Sequence, residues 1–430
     1  MNIKLIIIAA GLLVQTAAIF AQAGPVPAKP QSRGAYITGA TAHLGNGQVI
    51  ENSVIAFDKG KITFVGAAGQ TPSVDLSAYT RVDAAGKHVY PGLIAPNTQL
   101  GLVEIEAVRA TRDASEIGDL NPSIRALVAY NTDSHVIPTV RSQGILLAQI
   151  VPEGGRVSGQ SSVVQLDAWN WEDAAYQTDG GVHLSWPEQF RFNRFTDELV
   201  KNEGYAAAMQ ELEAFFKEAQ AYVQKATVET RNLKFEAVRG LYDGSKRLFI
   251  QTNSAKSIQQ SVLFAKQYQF KLVIVGGRDA WLVSDLLKAN NVAVILGSTQ
   301  SLPATEDTDV DQPFKAPVLL QKAGVLYCIG HEGFWQQRNL AFQAGQAVGF
   351  GLSKEEAITA LTLNTAKILG IESRTGSLEV GKDANLFVSK GDILDMRTSV
   401  VTHAFIQGRH VDLDNKQKAL YRRFKQRYEK

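Results

Sequence analysis

The chain has 430 residues, is 45% hydrophobic and carries a formal net charge of +2. That length can bury a large core and suits two or three domains, or one barrel with an addition; the near-neutral charge gives no argument for nucleic acid as a partner. The sole cysteine, Cys328, excludes an intramolecular disulfide and any multi-cysteine metal site. Between Val325-Leu326-Tyr327 and Ile329 it reads as a buried, inert thiol in strand core.

Residues 1–23 read as a secretory signal peptide. Lys4 gives a positive start, Leu5 to Phe20 is almost wholly apolar, and Ala21-Gln22-Ala23 is a small-x-small cleavage site. The apolar run is short for a spanning helix, and no cysteine follows it to carry a lipoprotein anchor. The expectation is an exported protein, periplasmic or secreted, with no transmembrane segment after cleavage. Residues 24–34, with Pro25, Pro27 and Pro30, read as a flexible leader.

Residues 35–90 read as consecutive short strands, with Gly45-Asn46-Gly47 as a turn and Asp58-Lys59-Gly60-Lys61 as a hairpin turn. From residue 91 the texture changes. Short apolar runs (144–151, 247–250, 271–275, 293–296, 325–329) alternate with segments of helical period. Ser353 is the expected N-cap of a helix reaching Leu369. This alternation, continued to residue 376, predicts a (β/α) barrel. In 205–225, Met209, Leu212, Phe215, Phe216, Ala219 and Val223 recur at helical spacing, which predicts a long helix packed on the barrel's outside. Residues 377–415 return to strands that complete the small β unit begun at 35–90. The basic segment 416–430 is expected to be a helix packed on the body, with a membrane-surface or acidic-partner role as the alternative.

Three stretches carry a family resemblance: "ENSVIAFDKGKITFVG", "HVYPGLIAPNTQLG", and the long run from Arg338 through "LTLNTAKILGIESRTGSLEVGKDANLFV". Together they resemble the amidohydrolase superfamily, in particular its imidazolonepropionase-related branch. The resemblance implies a (β/α)8 TIM-like barrel with a small β-sandwich built from both chain ends. It also implies a metal centre at the barrel mouth, one or two divalent ions such as zinc that activate a water. The family's ligands are His-x-His after the first barrel strand, a lysine or glutamate on the fourth in some subgroups, a histidine after the fifth and sixth, and an aspartate after the eighth.

Carried over residue by residue, these positions fall on Asn97 and Gln99, Gln165, Gln251 (or Asn253), Gly276 and Glu332. His331 is the one histidine expected near a barrel strand end, and His183 is expected in a loop before Trp186. One histidine and one carboxylate do not make the family's metal centre, and neutral amide oxygens are weak zinc ligands. The expectation is therefore no resident metal and a pocket of neutral groups, each with a donor and an acceptor. Such groups either bond to one another in a dead site or bind a polar small molecule such as a sugar or peptide, with Arg278, Trp169 and Trp171 beside it. The acidic run Glu104 to Asp119 lacks calcium-loop spacing and reads as a solvated loop.

Two functions follow. The first is a non-catalytic, exported amidohydrolase-fold protein acting by binding, as a homodimer or as partner to an active relative. The second is a hydrolase of C–N bonds other than peptide bonds, with Glu332 and His331 as its candidate catalytic groups.

Overall fold

The computed structural model describes residues 26–70, 75–193, 198–303 and 307–429; the signal-like segment lies outside them. β1 (Ala35–His43), β2 (Val49–Asp58), β3 (Lys61–Ala67), β4 (Thr80–Asp83) and β5 (His88–Pro91) open the chain. The β2–β3 turn places Lys59 and Gly60 at positive φ, the tight hairpin geometry expected from this sequence.

The barrel follows as β6 (Leu93–Thr98), β7 (Ile145–Ile150), β8 (Val157–Gln165) and β9 (Ala175–Ser185), then, after the small hairpin of β10 (Phe190–Asn193) and β11 (Glu198–Lys201), β12 (Arg247–Thr252), β13 (Leu272–Gly276), β14 (Ala293–Leu296) and β15 (Tyr327–Ile329). The chain returns to the outer sheet with β16 (Leu386–Ser389), β17 (Val401–Ile406) and β18 (Arg409–His410).

Among the described residues the barrel is an eight-stranded, nearly closed sheet in the order β6-β7-β8-β9-β12-β13-β14-β15. Its seam is tied at the mouth by Thr98 Oγ1, which donates to the Gly333 carbonyl at 3.0 Å. One strand departs from a simple (β/α)8 pattern: β8 runs antiparallel to both β7 and β9. The outer sheet runs β18-β17-β16-β5-β1-β2-β3 and so joins both ends of the chain. It packs its own core of Ile37, Ile55, Phe57, Leu386 and Phe405. A buried polar knot ties it to the barrel. Tyr176 Oη of β9 donates to Asp383 Oδ2 at 2.5 Å, Arg374 Nη2 reaches the same oxygen at 3.1 Å, and Lys61 Nζ lies 2.5 Å from Oδ1.

The helix Tyr205–Val223 buries Leu212, Phe215, Phe216, Ala219 and Tyr222. The helix expected from Ser353 to Leu369 is two, Lys354–Leu361 and Leu363–Leu369. Ser353 makes a capping box, and the break falls at Thr362, whose hydroxyl donates back to the Ile358 carbonyl at 2.7 Å.

Two expectations need correction. The leader is not free: Ala28 N–H donates to Asp167 Oδ2 at 2.9 Å, and Gln31 bonds both the Phe57 carbonyl and the Gly60 amide. The helix Lys416–Tyr428, expected to pack on the body, buries none of its residues. No helix among the described residues is long and apolar enough to cross a membrane.

Candidate functional site at the barrel mouth

The parallel strands end on one face, where a cavity of about 330 Å³ opens. Its lining includes Asn97, Gln99, Glu153, Ser158, His183, Ser185, Gln251 and Glu332. Asn97 sits at φ +47°, where the β6–β7 register slips, and its left-handed backbone is one that asparagine tolerates. Its amide donates to Gln149 Oε1 at 3.1 Å. Gln149 Nε2 donates to Ser161 Oγ at 3.0 Å, and Ser161 Oγ lies 2.8 Å from His183 Nε2.

His183 is the functional-site residue that the sequence reading missed. It lies within β9, not in a loop, and side chains two apart on a strand share a face, so His183 and Ser185 both line the cavity. The ring stacks on Phe249 with centroids 4.7 Å apart. Burial lowers its pKa from 6.5 to about 3, so the imidazole is neutral near pH 7. The Ser161 hydroxyl carries one donor and two acceptor sites, so either neutral tautomer of His183 satisfies this contact.

Of the carried-over positions, Asn97, Gln99, Gln251 and Glu332 meet at this cavity and two do not. Gln165 is at the wrong end of the barrel. Because β8 is antiparallel, Gln165 pairs with Leu147, while Ser162 pairs with Ile150 at the mouth; the three-residue offset is roughly 10 Å. There Gln165 accepts from Arg409 Nη2 and donates to the Asp173 carbonyl. Gly276 has φ +89°, and a Cβ on it would come 2.6 Å from Asn253 Oδ1, so a histidine does not fit without rearrangement.

The flanking candidates also fall elsewhere. Asn253 faces the 276–278 turn and accepts the Arg278 amide at 3.4 Å. The Arg278 side chain is exposed and pairs with Asp279. Trp169 follows the far end of β8 and lines a separate cavity of about 450 Å³ with Val26, His135 and Arg141. Trp171 packs against the main core. His331 is half-buried, its Nδ1–H donating to the Glu332 carbonyl at 3.1 Å, and burial lowers its pKa. It is not among the groups around the mouth cavity.

The donor set at the mouth is thus neutral amides and one neutral imidazole, with the carboxylates of Glu153 and Glu332 at the exposed rim. Burial raises the Glu153 pKa. Among the described residues, no three His, Cys, Asp or Glu side chains stand together to hold a metal ion. These residues do not fit a zinc centre of the kind the family uses.

Residues 271–411 match the model of the amidohydrolase family. An imidazolonepropionase of Brucella anthropi is 22% identical over 381 residues, covering 79% of this chain and 87% of that protein. Residues 271–411 thus carry an amidohydrolase-family domain. Two other likenesses are local: amidohydrolase tasK of Hapsidospora irregularis, 34% identical over 118 residues, and an imidazolonepropionase of a Shewanella strain, 64% identical over 36. The first match covers 24% of this chain and 11% of the relative, the second 8% and 9%. Among solved structures, an amidohydrolase from Thermotoga maritima superposes with TM-score 0.74 at 24% identity, covering 88% of this chain and 99% of that one. That likeness is one of fold.

Proposed function

We propose that this amidohydrolase-superfamily chain is an exported protein that has given up the family's metal centre and acts by binding rather than by hydrolysis. The observation that carries the reading is the chemistry of the mouth. Asn97, Gln99 and Gln251 line it, and His183 is held neutral by burial and backed by Ser161 and Gln149. A site of paired donors and acceptors with no net charge at its floor suits a neutral polar ligand, a sugar or a peptide amide. The desolvation cost of such a ligand is repaid only by matched hydrogen bonds. Export rests on the signal-like residues 1–23.

The test pairs calorimetric titration of neutral sugars and short peptide amides with a turnover panel of amides, lactams and lactones. The reading expects a ligand whose affinity falls in Gln251→Leu, and no turnover. Turnover that disappears in Glu332→Gln would instead make the chain a hydrolase of non-peptide C–N bonds.

A further inference from the structure

The helix Lys416–Tyr428 leaves the body at one end, and none of the described residues covers it. Its start is fastened: Asn415 caps it and bonds Ser142, and Gln417 accepts from Thr139. Beyond that, Leu420, Phe424 and Tyr428 recur every four residues and form one stripe, with Tyr421 beside it. These four are 39%, 50%, 75% and 65% exposed. Arg423 and Arg427 flank the stripe on one side and Lys425 on the other, their charges lying against Phe424, Tyr428 and Tyr421 at 5.8–5.9 Å. Lys418 and Arg422 turn back to the Leu413 carbonyl and Asp414, so the body lies behind the stripe. The only acid within 416–429 is Glu429, which pairs with Lys425 at 2.9 Å and leaves Arg423 and Arg427 as the flanking cations without an acidic neighbour on the helix.

We infer that this helix docks the protein on an anionic lipid surface. An aromatic and aliphatic stripe bordered on both sides by cations matches a bilayer interface: the stripe enters the headgroup boundary while the cations meet lipid phosphates. Charge complementarity selects this occupant. A second copy of the helix would bring like charges together along both flanks of the stripe.

The test is co-sedimentation of the mature chain, residues 24–430, with mixed phosphatidylcholine–phosphatidylglycerol vesicles and with phosphatidylcholine alone. Binding to the anionic vesicles is expected, weakened by salt and far weaker on the zwitterionic ones. Arg423→Gln and Lys425→Gln should each weaken it about fivefold. Phe424→Ser should weaken it about tenfold, with far-UV circular dichroism and melting temperature unchanged. Equal binding to both vesicle types would overturn the inference, as would binding that ignores Phe424→Ser. Polyglutamate bound as tightly as the anionic vesicles, without sensitivity to Phe424→Ser, would point to an acidic protein partner instead. Self-association abolished by Phe424→Ser, with no vesicle binding, would show that a second copy covers the stripe.

Discussion

Replacing His183 with glutamine should flatten the acid side of the stability profile. His183 is buried, and its pKa falls from 6.5 to about 3. In the unfolded chain the ring titrates near its ordinary value, so between these two values the unfolded state binds the extra proton. The stabilising contribution is therefore complete above about pH 6.5 and is lost progressively as pH falls toward about 3. At pH 5 the gap is about 1.5 pKa units, worth about 2 kcal/mol of stability relative to pH 7. His88, His331, His403 and His410 also have lowered pKa values through burial and add acid slopes of their own. Comparing the native chain with His183→Gln cancels them. Urea unfolding of both proteins at pH 7 and pH 5 gives the quantity directly: the native chain should lose about 2 kcal/mol more than the variant. Equal losses would mean that the ring is solvated or charged in the fold, and the neutral mouth would fail with it.

Asp383→Asn leaves the half-exposed Lys61 and Arg374 without their carboxylate at the joint between barrel and outer sheet, and should cost about 1 kcal/mol in urea unfolding. Burial alone would raise the Asp383 pKa, but Lys61, Tyr176 and Arg374 outweigh it and hold it low, so its contribution persists at neutral pH and disappears only as pH falls below about 4. Phe216→Ala, at a fully buried site on the inner face of the helix Tyr205–Val223, should cost about 4 kcal/mol by the same measurement. Burial pushes the Cys328 thiol up to about 12, so a thiol reagent at pH 8 should label it only at the rate of unfolding.

Much of this architecture was legible because its signals are local. Apolar runs bounded by turns marked β12, β13 and β14, and helical spacing marked the long outer helix. What was missed turns on the direction of one strand. Val157–Gln165 reads as strand in either direction, and in a simple (β/α)8 pattern Gln165 falls at the mouth. The signal against that was present. Only Val151 to Arg156, with Gly154 and Gly155, connects β7 to β8, and a parallel crossover needs a dozen residues or more. Reversing β8 sends Gln165 to the far end with Trp169. β9 was hidden for another reason: Asp179-Gly180-Gly181 interrupts its apolar pattern, so His183 looked like a loop residue. The exposure of the C-terminal helix was not legible, because an apolar stripe is the same in sequence whether it meets the body or faces away.

The central claim, a mouth that holds no catalytic metal, meets its most direct test in elemental analysis of the purified chain, prepared without chelator and again after incubation with zinc, manganese and calcium. The account predicts far less than one ion per chain in every preparation. Close to one equivalent of zinc or manganese, retained through gel filtration and lost in His183→Gln, would contradict it and place a working metal centre at the barrel mouth.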